Sequence, residues 1–446
     1  MKIENVQNQI NDIFPEYKEN LKNLVSYNSK NMPAEDKAPF GKNLVNVLNK
    51  AVSIAESMGM KTYIDPEGYY GYAEIGEGDQ MVGVLGHLDI VPADDKENWD
   101  TDPFQMTEEE GYLIGRGVQD DKGPMLASLY AMKILMDNGG ELNKRVRFIF
   151  CTDEESLWRG VKAYVKNEEH PDLGFTPDSH FPLVYAEKGL VEYTLITEEN
   201  LDYEFTGGSA LNAVPAKATV DSDDEIKNAL NELKYDFEDK DGKITVLGKT
   251  VHAMIPEKGI NAITRLIEAL NKAGKKGKML DFVLNDGLET TAKSIFGDIN
   301  DYTGGLSFNI GLADFKKDRQ TIGIDIRFPA TKKKEDIDKM MRDSAEKCGV
   351  TVEDFDYLKP LYVDPKSELA QKLLKAYQDV TGDTKSEPIT MGGATFARSM
   401  DNIVAYGANF PDTVVTEHGP NERIKENDLK KAMEVYVQAF INLAVE

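Results

Sequence analysis

The sequence has few of the residues that form disulfide frameworks or thiolate metal sites. Its 446 residues include two cysteines, Cys151 and Cys348, and five histidines. Because the sequence shows no export signal, we expect no structural disulfide and interpret both cysteines as small buried thiols. Chemistry that depends on cysteine thiolates is therefore not expected.

The sequence also lacks any run of about 18 apolar residues, the length that a membrane-spanning helix needs. Its first residues have neither the basic start nor the apolar core and cleavage site of a secretory signal. We therefore expect a cytoplasmic protein that does not span a bilayer. Basic residues are in the minority, because 52 Lys and Arg face 78 Asp and Glu for a formal charge of −26. This excess argues against nucleic acid or an anionic membrane as a partner.

The length exceeds the ~250–300 residues at which a single hydrophobic core usually stops growing, so we expect two domains. Short apolar runs at 81–85, 146–151 and 183–186 predict buried strands. A near-continuously apolar helix at 125–136 lies between the first two runs. This alternation predicts an α/β fold in which a mixed sheet is flanked by helices.

The pattern changes partway along the chain and later returns to its first character. In the changed part, "TIGIDIRFP" alternates apolar and polar residues, which predicts a half-exposed antiparallel strand with Arg327 on its non-core side. We therefore predict a catalytic domain made of residues 1–188 and 361–446. An inserted α+β domain is predicted at 189–360.

The first candidate for chemistry is His87-Leu88-Asp89, which directly follows the apolar run MVGVLG. In an extended segment these two polar side chains point the same way. Asp89 can then hydrogen-bond one ring nitrogen of His87 and leave the other nitrogen for a metal. A histidine and an aspartate at a strand end also occur as a purely structural pair. The motif alone leaves both interpretations open.

The second candidate is "GRGVQDDKGP", in which Asp120 and Asp121 lie between a glycine-rich turn and the apolar helix. An acid before a helix often serves as its N-cap. One cap needs only one acid, however. The doubled Asp flanked by Gly117 and Gly123 favours a backbone held in an unusual shape, with a carboxylate directed into a cleft.

The third candidate is "CTDEESLWRG", where three consecutive acids close an apolar strand and open a helix. Adjacent carboxylates repel each other unless a cation balances them. Capping by Thr152 or Asp153 is the structural alternative. Of the neighbouring pair Glu154 and Glu155, one can bind a metal while the other carries a proton, as hydrolytic metal sites require.

Two later segments each add a donor. Asp178 precedes a strand in "TPDSHFPLVYAEKG", and His418 follows the run NIVAYG in "TVVTEHGPNER". Combined with the first three clusters, they complete a set of nitrogen and oxygen donors: His87, Asp120, Glu155, Asp178 and His418. Such a set without thiolates suits zinc in an open catalytic site and also admits cobalt or manganese.

The order and spacing of these motifs resemble those of a known family. The series HLD, GRGVQDDKGP, TDEES, PDSHFPLVYAEKG, GGATFAR and TEHGPNE is similar to that of the di-zinc aminoacylase and carboxypeptidase superfamily of metallopeptidases. Within it the likeness is to the bacterial PepV-type dipeptidases, from about residue 35 to the C-terminus. The resemblance implies a zinc-peptidase catalytic domain, with the inserted domain acting as a lid.

The resemblance also implies two Zn²⁺ ions and a role for each donor. It assigns His87 and Asp178 to one ion, Glu155 and His418 to the other, and Asp120 to both. Glu154 falls on the general base of the family, and Asp89 falls on the acid that orients His87. The same pattern implies a cis peptide between Asp120 and Asp121.

The inserted domain is implied to contact the substrate. His252 falls on the lid histidine that stabilises the developing oxyanion, with a solvated loop histidine as the alternative. The positions implied to bind substrate are Asn212, Arg327, Gly392, Gly393, Thr395 and Arg398. Either Arg327 or Arg398 would be the counter-ion of the substrate carboxylate. Residues 200–237 follow the family pattern only loosely.

From these features we expect a monomeric metallopeptidase, a hydrolase whose partner is an unblocked dipeptide. An N-acyl-amino-acid deacylase or a desuccinylase would use the same two ions with a different acyl pocket. The long insertion favours the dipeptidase. A metal-binding relative without catalysis is the remaining alternative, although this chain keeps the proton-carrying glutamate and all five ligands.

Overall fold

The structure is a computed structural model that describes residues 3–93 and 96–445. The chain divides into two compact units. The first comprises Met1–Ala186, Tyr362–Ile389 and Thr395–Glu446, and the second comprises Glu187–Leu361 and Thr390–Ala394. The short segment Thr390–Ala394 belongs to the second unit although the chain on both sides of it belongs to the first, a detail that the sequence pattern does not indicate.

A mixed sheet of nine strands carries the first unit, and this confirms the predicted α/β class. The strands follow the order Lys61–Ile64, Tyr70–Ile75, Arg145–Cys151, Met81–His87, Leu173–Thr176, Ile403–Ala405, Val184–Glu187 and Leu361–Tyr362, with Ile389–Met391 paired to Val184–Glu187. The four strands in the middle of this order are parallel, and the pairs toward its start are antiparallel. Strand Met81–His87 is buried along its whole length, as expected of a parallel strand covered on both faces.

The α-helices of the first unit are Val6–Val25, Lys42–Ser57, Lys122–Asp137, Arg159–Asn167, Glu368–Thr381 and Glu426–Phe440. Helix Lys122–Asp137 is buried over most of its length and packs against the first and last of these helices. Its nearly continuous apolar sequence is therefore explained by neighbours on every side. Short strands complete the unit: Thr107–Glu109, Tyr112–Ile114, Ser179–His180, Ala408–Asn409 and Arg423–Lys425.

The second unit contains an eight-stranded antiparallel sheet. Its strands follow the order Phe237–Lys240, Lys243–Leu247, Lys217–Asp221, Phe205–Gly207, Ser307–Phe315, Gln320–Phe328, Gly189–Thr197 and Thr351–Leu358. Its α-helices are Asp224–Leu233, Ala262–Lys272, Lys278–Phe282, Lys293–Phe296 and Lys334–Lys347, and a short hairpin joins Asn300–Asp301 to Gly304–Gly305. Asp223 and Asn261 cap two of these helices by accepting backbone N–H groups.

Strand Gln320–Phe328 corrects one detail of the sequence analysis. Its isoleucines point into the aliphatic core of the second unit, and it pairs antiparallel with both neighbours, as predicted. The expected half-exposure is wrong, because Asp325 and Arg327 on the opposite face are 0% and 5% exposed. The alternation of residues shows which side of a strand faces the core. It does not show whether the other side is also covered.

Both cysteines are unpaired, as expected. Cys151 is buried as predicted, but the prediction is wrong for Cys348, whose thiol is only half-buried. Among residues 3–93 and 96–445, no helix combines the length and apolar character that crossing a membrane requires.

Candidate metal centre

Neighbouring parallel strands bring the candidate ligands to one edge of the first unit's sheet. Strand Met81–His87 ends on His87 itself. The parallel strand on one side is followed by Glu154 and Glu155, and the parallel strand on the other side is followed by Asp178. Because parallel strands end at the same edge of a sheet, these residues meet there despite their separation in the chain.

The residue before His87 is a glycine in a crowded position. A Cβ atom at Gly86 would lie 2.6 Å from Asp121 Oδ2 and 2.6 Å from Met125 Sδ. This space lets the start of the buried helix approach the strand end. Asp121 Oδ2 then accepts the backbone N–H of His87 at 3.2 Å. The strand that ends on His87 is thereby tied to the loop that carries the paired aspartates.

Asp120 lies at the centre of the cluster. Its Oδ1 is 2.8 Å from Nε2 of His87, and its Oδ2 is 3.0 Å from Nε2 of His418. One carboxylate therefore lies between two histidines that are far apart in the chain. The cis peptide implied between Asp120 and Asp121 is present.

Each histidine has a further acidic neighbour. Asp178 Oδ2 lies 3.8 Å from Nε2 of His87, and Glu155 Oε1 lies 3.3 Å from Nε2 of His418. Two groups of donor atoms lie within 4.8 Å of one another: His87 with Asp120 and Glu155, and His87 with Glu154 and Asp178. The structure thus brings together all five predicted ligands and Glu154, and Glu154 lies as close to His87 as a ligand would.

Asp89 lies beside His87, but its contacts differ from the expected ones. Nδ1 of His87 is 3.0 Å from the backbone oxygen of Asp89 and 3.5 Å from its carboxylate Oδ1, which is long for a hydrogen bond. The other carboxylate oxygen, Oδ2, accepts the backbone N–H of Glu155 at 2.9 Å. Asp89 therefore contacts His87 through its main chain and the Glu155 loop through its side chain.

Carboxylates outnumber imidazoles in the cluster, and burial acts on their charges. Burial, reinforced by the charge of Asp120, raises the pKa of Asp178 well above its usual value. Burial also raises the pKa of Glu154 well above its usual value, with a further contribution from the charge of Glu155. Burial opposes ionisation of Asp120 as well, but hydrogen bonds with the two histidines hold the pKa of Asp120 well below its usual value.

The two histidines respond in the opposite sense. Burial disfavours a charged His87, but hydrogen bonding to Asp120 outweighs it and raises the pKa of His87 well above its usual value. The charge of Glu155 is the main reason that the pKa of His418 is also raised. Four carboxylates and two imidazoles crowded at a buried strand edge form a donor set that fits divalent cations, which would balance the surplus of carboxylates.

The second unit holds His252 and Asn212 in neighbouring loops. Nδ1 of His252 accepts the backbone N–H of Met254 at 3.1 Å, so the ring proton of neutral His252 lies on Nε2. Asn212 is exposed, and the segment around it is anchored by Asn309, whose Nδ2 donates to the backbone oxygens of residues 211 and 213. The two loops are joined because the backbone oxygen of Asn212 accepts the N–H of Ala253.

Arg327 has a carboxylate partner within its own strand. Its Nε and Nη2 donate to the two oxygens of Asp325 at 2.9 and 3.0 Å, and its Nη1 donates to the backbone oxygen of Gly392 at 3.3 Å. Gly392 and Gly393 belong to the second unit. The positive charge of Arg327 is therefore already paired within this unit.

Thr395 and Arg398 belong to the first unit. Thr395 Oγ1 accepts the N–H of Ala397 and so caps the short turn Phe396–Ser399. Arg398 lies within this turn and is only 2% exposed. The motif GGATFAR thus contributes its glycines to one unit and its threonine and arginine to the other.

Sequence reasoning assigned no contacts or role to three buried side chains next to the ligands: Gln119, Asp121 and Glu422. Each lies inside a motif singled out from the sequence, directly beside Asp120 or four residues after His418. Their position in those motifs was the only available signal. Their partners depend on which loops meet in space, and local sequence does not specify this.

Histidines and carboxylates gathered at the carboxyl edge of parallel strands are an arrangement suited to a metal-dependent enzyme. Residues 83–442 match the family described as Peptidase family M20/M25/M40. The chain belongs to this family. It is therefore a metallopeptidase, and the family assignment implies the use of a divalent metal.

Individual relatives agree with this assignment. A Staphylococcus epidermidis protein described as "Putative dipeptidase" is 35% identical over an alignment 460 residues long. The alignment covers 96% of this chain and 97% of that protein. The crystal structure of human carnosine dipeptidase 1 is similar with a TM-score of 0.64 at 17% identity, covering 98% of each chain. The di-peptidase Dug1p from Saccharomyces cerevisiae matches with a TM-score of 0.63 at 16% identity and the same coverage. These two structures establish the fold alone.

Proposed function

We propose that this metallopeptidase hydrolyses unblocked dipeptides with two Zn²⁺ ions bound in the cluster. The observation that carries the proposal is the position of Asp120, whose two oxygens each face a different histidine. A carboxylate with one oxygen toward each of two nitrogen donors is suited to two ions that share a ligand. The name of the Staphylococcus epidermidis relative supports the substrate class, since it is described as "Putative dipeptidase".

The ligands divide naturally between the two ions. His87 and Asp178 would hold one ion, Glu155 and His418 would hold the other, and Asp120 would serve both. When bound, such ions lower the pKa of water toward ~7 and polarise the carbonyl to be attacked. The distances to the two imidazoles support the division, because Asp178 lies 3.8 Å from Nε2 of His87, whereas Glu155 lies 3.3 Å from Nε2 of His418.

Glu154 is proposed as the proton carrier. Its carboxylate takes a proton from the attacking water and later returns it to the departing amine. Its position supports this role, because its oxygen lies within 4.8 Å of the donors of His87 and Asp178, close enough to reach a water between them. If Glu154 were a metal ligand instead, Glu154→Gln would lower the metal content. Metal analysis of this variant therefore distinguishes a ligand from a proton carrier.

The second unit is proposed to act as a lid that supplies further substrate contacts. His252 would donate its Nε2 proton to the developing oxyanion, and the contact from Met254 to Nδ1 supports this tautomer. The positions proposed to hold the substrate are Asn212, Arg327, Gly392, Gly393, Thr395 and Arg398. Arg327 and Arg398 stay alternative candidates for the counter-ion of the substrate carboxylate, and Asp325 already pairs with Arg327.

The proposal is tested on the purified full chain. Metal is removed with a chelator and returned as Zn²⁺, Co²⁺ or Mn²⁺, and each form is assayed with a panel of dipeptides, their N-acetylated forms, and N-acyl and N-succinyl amino acids. We expect two Zn²⁺ per chain and hydrolysis of the unblocked dipeptides alone. Hydrolysis of the acylated amino acids in their place would support a deacylase or desuccinylase. A chain that binds no divalent cation and cleaves nothing would contradict both functions.

Two further expectations from the sequence, a cytoplasmic location and a monomeric state, stay predictions. Light scattering on the eluting peak of a size-exclusion column tests the second. The expected mass is that of one 49.7 kDa chain.

A further inference from the structure

Two ligand-bearing loops of the first unit hold each other through a pair of buried side chains. The first loop, residues 115–121, carries Asp120, and the second loop, residues 414–422, carries His418. Gln119 of the first loop bonds to the second loop, and Glu422 of the second loop bonds to the first. We call Gln119 and Glu422 the clasp pair.

Glu422 binds the backbone of the loop that carries Asp120. It is fully buried, and its Oε1 accepts the backbone N–H groups of Gly117, Gln119 and Asp120 at 3.0, 2.9 and 3.2 Å. Its Oε2 accepts Nη1 of Arg116 at 2.8 Å. Gly117 has a φ of +92°, a left-handed conformation that suits glycine and lets successive N–H groups converge on one anion. Glu422 therefore sets the path of the backbone at the shared carboxylate.

Gln119 binds the backbone of the other loop. Its Oε1 accepts the N–H of Thr416 at 2.7 Å, the hydroxyl of Thr416 at 2.9 Å and the N–H of Glu417 at 3.0 Å. Its Nε2 donates to Asn409 Oδ1 and to the backbone oxygen of Val414, both at 3.1 Å. Both ends of the amide are thus fully engaged. The backbone directly before the ligand histidine is fixed by a residue that adjoins the shared aspartate.

We infer that Gln119 and Glu422 are positioning residues that hold two of the proposed metal ligands, Asp120 and His418, in place for metal binding. Neither side chain is a proposed ligand. Together they fix the two loops so that Oδ2 of Asp120 lies 3.0 Å from Nε2 of His418. The inference rests on the proposed two-ion function. It assigns the two residues different effects, because Gln119 holds the loop of only one histidine, whereas Glu422 holds the carboxylate that both ions share.

This difference provides the test. Gln119→Met keeps the length of the side chain and removes its hydrogen bonds, and Glu422→Gln keeps the shape and removes the charge. Asn442→Leu is the matched control, since Asn442 is an equally buried amide that donates to the backbone oxygen of Lys372 and lies in neither loop. Metal-free protein is titrated with Zn²⁺ by calorimetry and with Co²⁺ by visible absorption, and thermal stability is recorded for every variant.

The inference predicts a distinct pattern for each variant. Gln119→Met should bind one equivalent of Zn²⁺ as tightly as the unaltered chain does. It should bind the second equivalent ~10–100-fold more weakly, which is the usual effect of replacing a residue that orients a metal ligand. Its one-equivalent Co²⁺ spectrum should match that of His418→Ala. Glu422→Gln should lower the affinity for both equivalents of Zn²⁺. Asn442→Leu should lose stability without losing metal affinity.

Other outcomes overturn the inference. If Gln119→Met binds both equivalents as tightly as the unaltered chain, or loses no more affinity than Asn442→Leu, the clasp pair has a structural role only. If Gln119→Met does not fold, Thr416→Val removes one contact to Gln119 and should still weaken one equivalent more than the other. An unaltered chain that binds no divalent cation contradicts the proposed function itself, and the two failures are thereby distinguished.

Discussion

The two large sheets of this molecule use their polar residues differently. In the first unit, parallel strands end at a common edge, and four donors at their ends meet there with Asp120 and His418 from other loops. In the second unit, the strands are antiparallel, so their ends alternate between opposite edges. Its charged residues lie instead along the strands, as in the cross-strand neighbours Glu192 and Asp325.

The comparison shows how topology shapes local electrostatics. The parallel edge carries more carboxylates than cationic side chains. The resulting surplus of negative charge favours bound cations. On the antiparallel sheet, Arg327 pairs with Asp325 in the same strand. Charge there is balanced by a neighbour within the protein. We therefore expect hydrolysis to depend on the parallel edge of the first unit, and stability to depend on the charged residues of the antiparallel sheet.

The largest effect is expected at the parallel edge. Glu154→Gln removes the proposed proton carrier and should lower kcat by ~10²–10⁴, the usual contribution of general acid–base transfer. Two bound ions should remain, because Glu154 is not counted among the ligands. Hydrolysis rates and metal content of the same preparation provide the measurement.

Glu155→Gln is the matched control for this prediction. It makes the same carboxylate-to-amide change at the next residue. That residue, however, is a proposed metal ligand whose Oε1 lies 3.3 Å from Nε2 of His418. The variant should therefore lose one equivalent of metal. If instead Glu154→Gln loses the ion and Glu155→Gln keeps both, the two glutamates have exchanged roles.

A contribution of the second unit to the chemistry is tested at His252. His252→Asn places an acceptor where Nδ1 now accepts from Met254 and removes the Nε2 donor. A loss of ~10²–10³ in kcat is expected, the usual cost of one oxyanion donor. His252→Gln keeps a donor near the position of Nε2 and should lose less. If the unaltered chain and both variants are equally active, His252 makes no contribution to catalysis.

The sequence was most informative where strands end. His87 and Glu155 could be proposed because they follow apolar runs and because chemistry in an open α/β sheet collects at the carboxyl ends of strands. Asp178 was placed only before a strand, and the strand Leu173–Thr176 that precedes it was not predicted. The sharing of Asp120 and the separate roles of Glu154 and Glu155 came from the family resemblance. Spacing along the chain does not distinguish adjacent acids.

The sequence was least informative where the structure depends on contacts between distant loops. The bonds of Gln119 and Glu422 join residues about 300 positions apart, and no local pattern indicates them. The burial of Arg327 was missed for a related reason. Alternation gives the direction of a side chain, whereas coverage of the polar face depends on elements elsewhere in the chain.

The contacts of Asp89 allow a finer test at the parallel edge. Asp89→Asn keeps an acceptor for the N–H of Glu155 and keeps the backbone oxygen near His87, but it removes the buried charge. If that charge supports the ligands, metal affinity should fall by ~10–100-fold. Asp89→Ala also removes the contact to Glu155 and should lose more. Unchanged affinity in Asp89→Asn would mean that the backbone oxygen alone orients His87.

The smallest effect is expected in the second unit and concerns stability rather than rate. Burial, reinforced by the charge of Asp325, raises the pKa of Glu192 from 4.5 to about 8. The folded state therefore retains a proton that the unfolded chain loses, so the free energy of unfolding should fall as pH rises through this range. For one proton the slope is at most ~1.4 kcal/mol per pH unit.

Glu192→Gln cannot ionise, so it should remove this slope. Its stability relative to the unaltered chain should be level below about pH 4.5, rise through the interval, and become level again above about pH 8. Urea unfolding at several pH values measures the difference, and titration of the metal cluster cancels because it is common to both proteins. Glu192→Met should remove the same slope, with a different overall stability. If the slope persists in both variants, the antiparallel sheet balances its charges more completely than the burial of Glu192 implies.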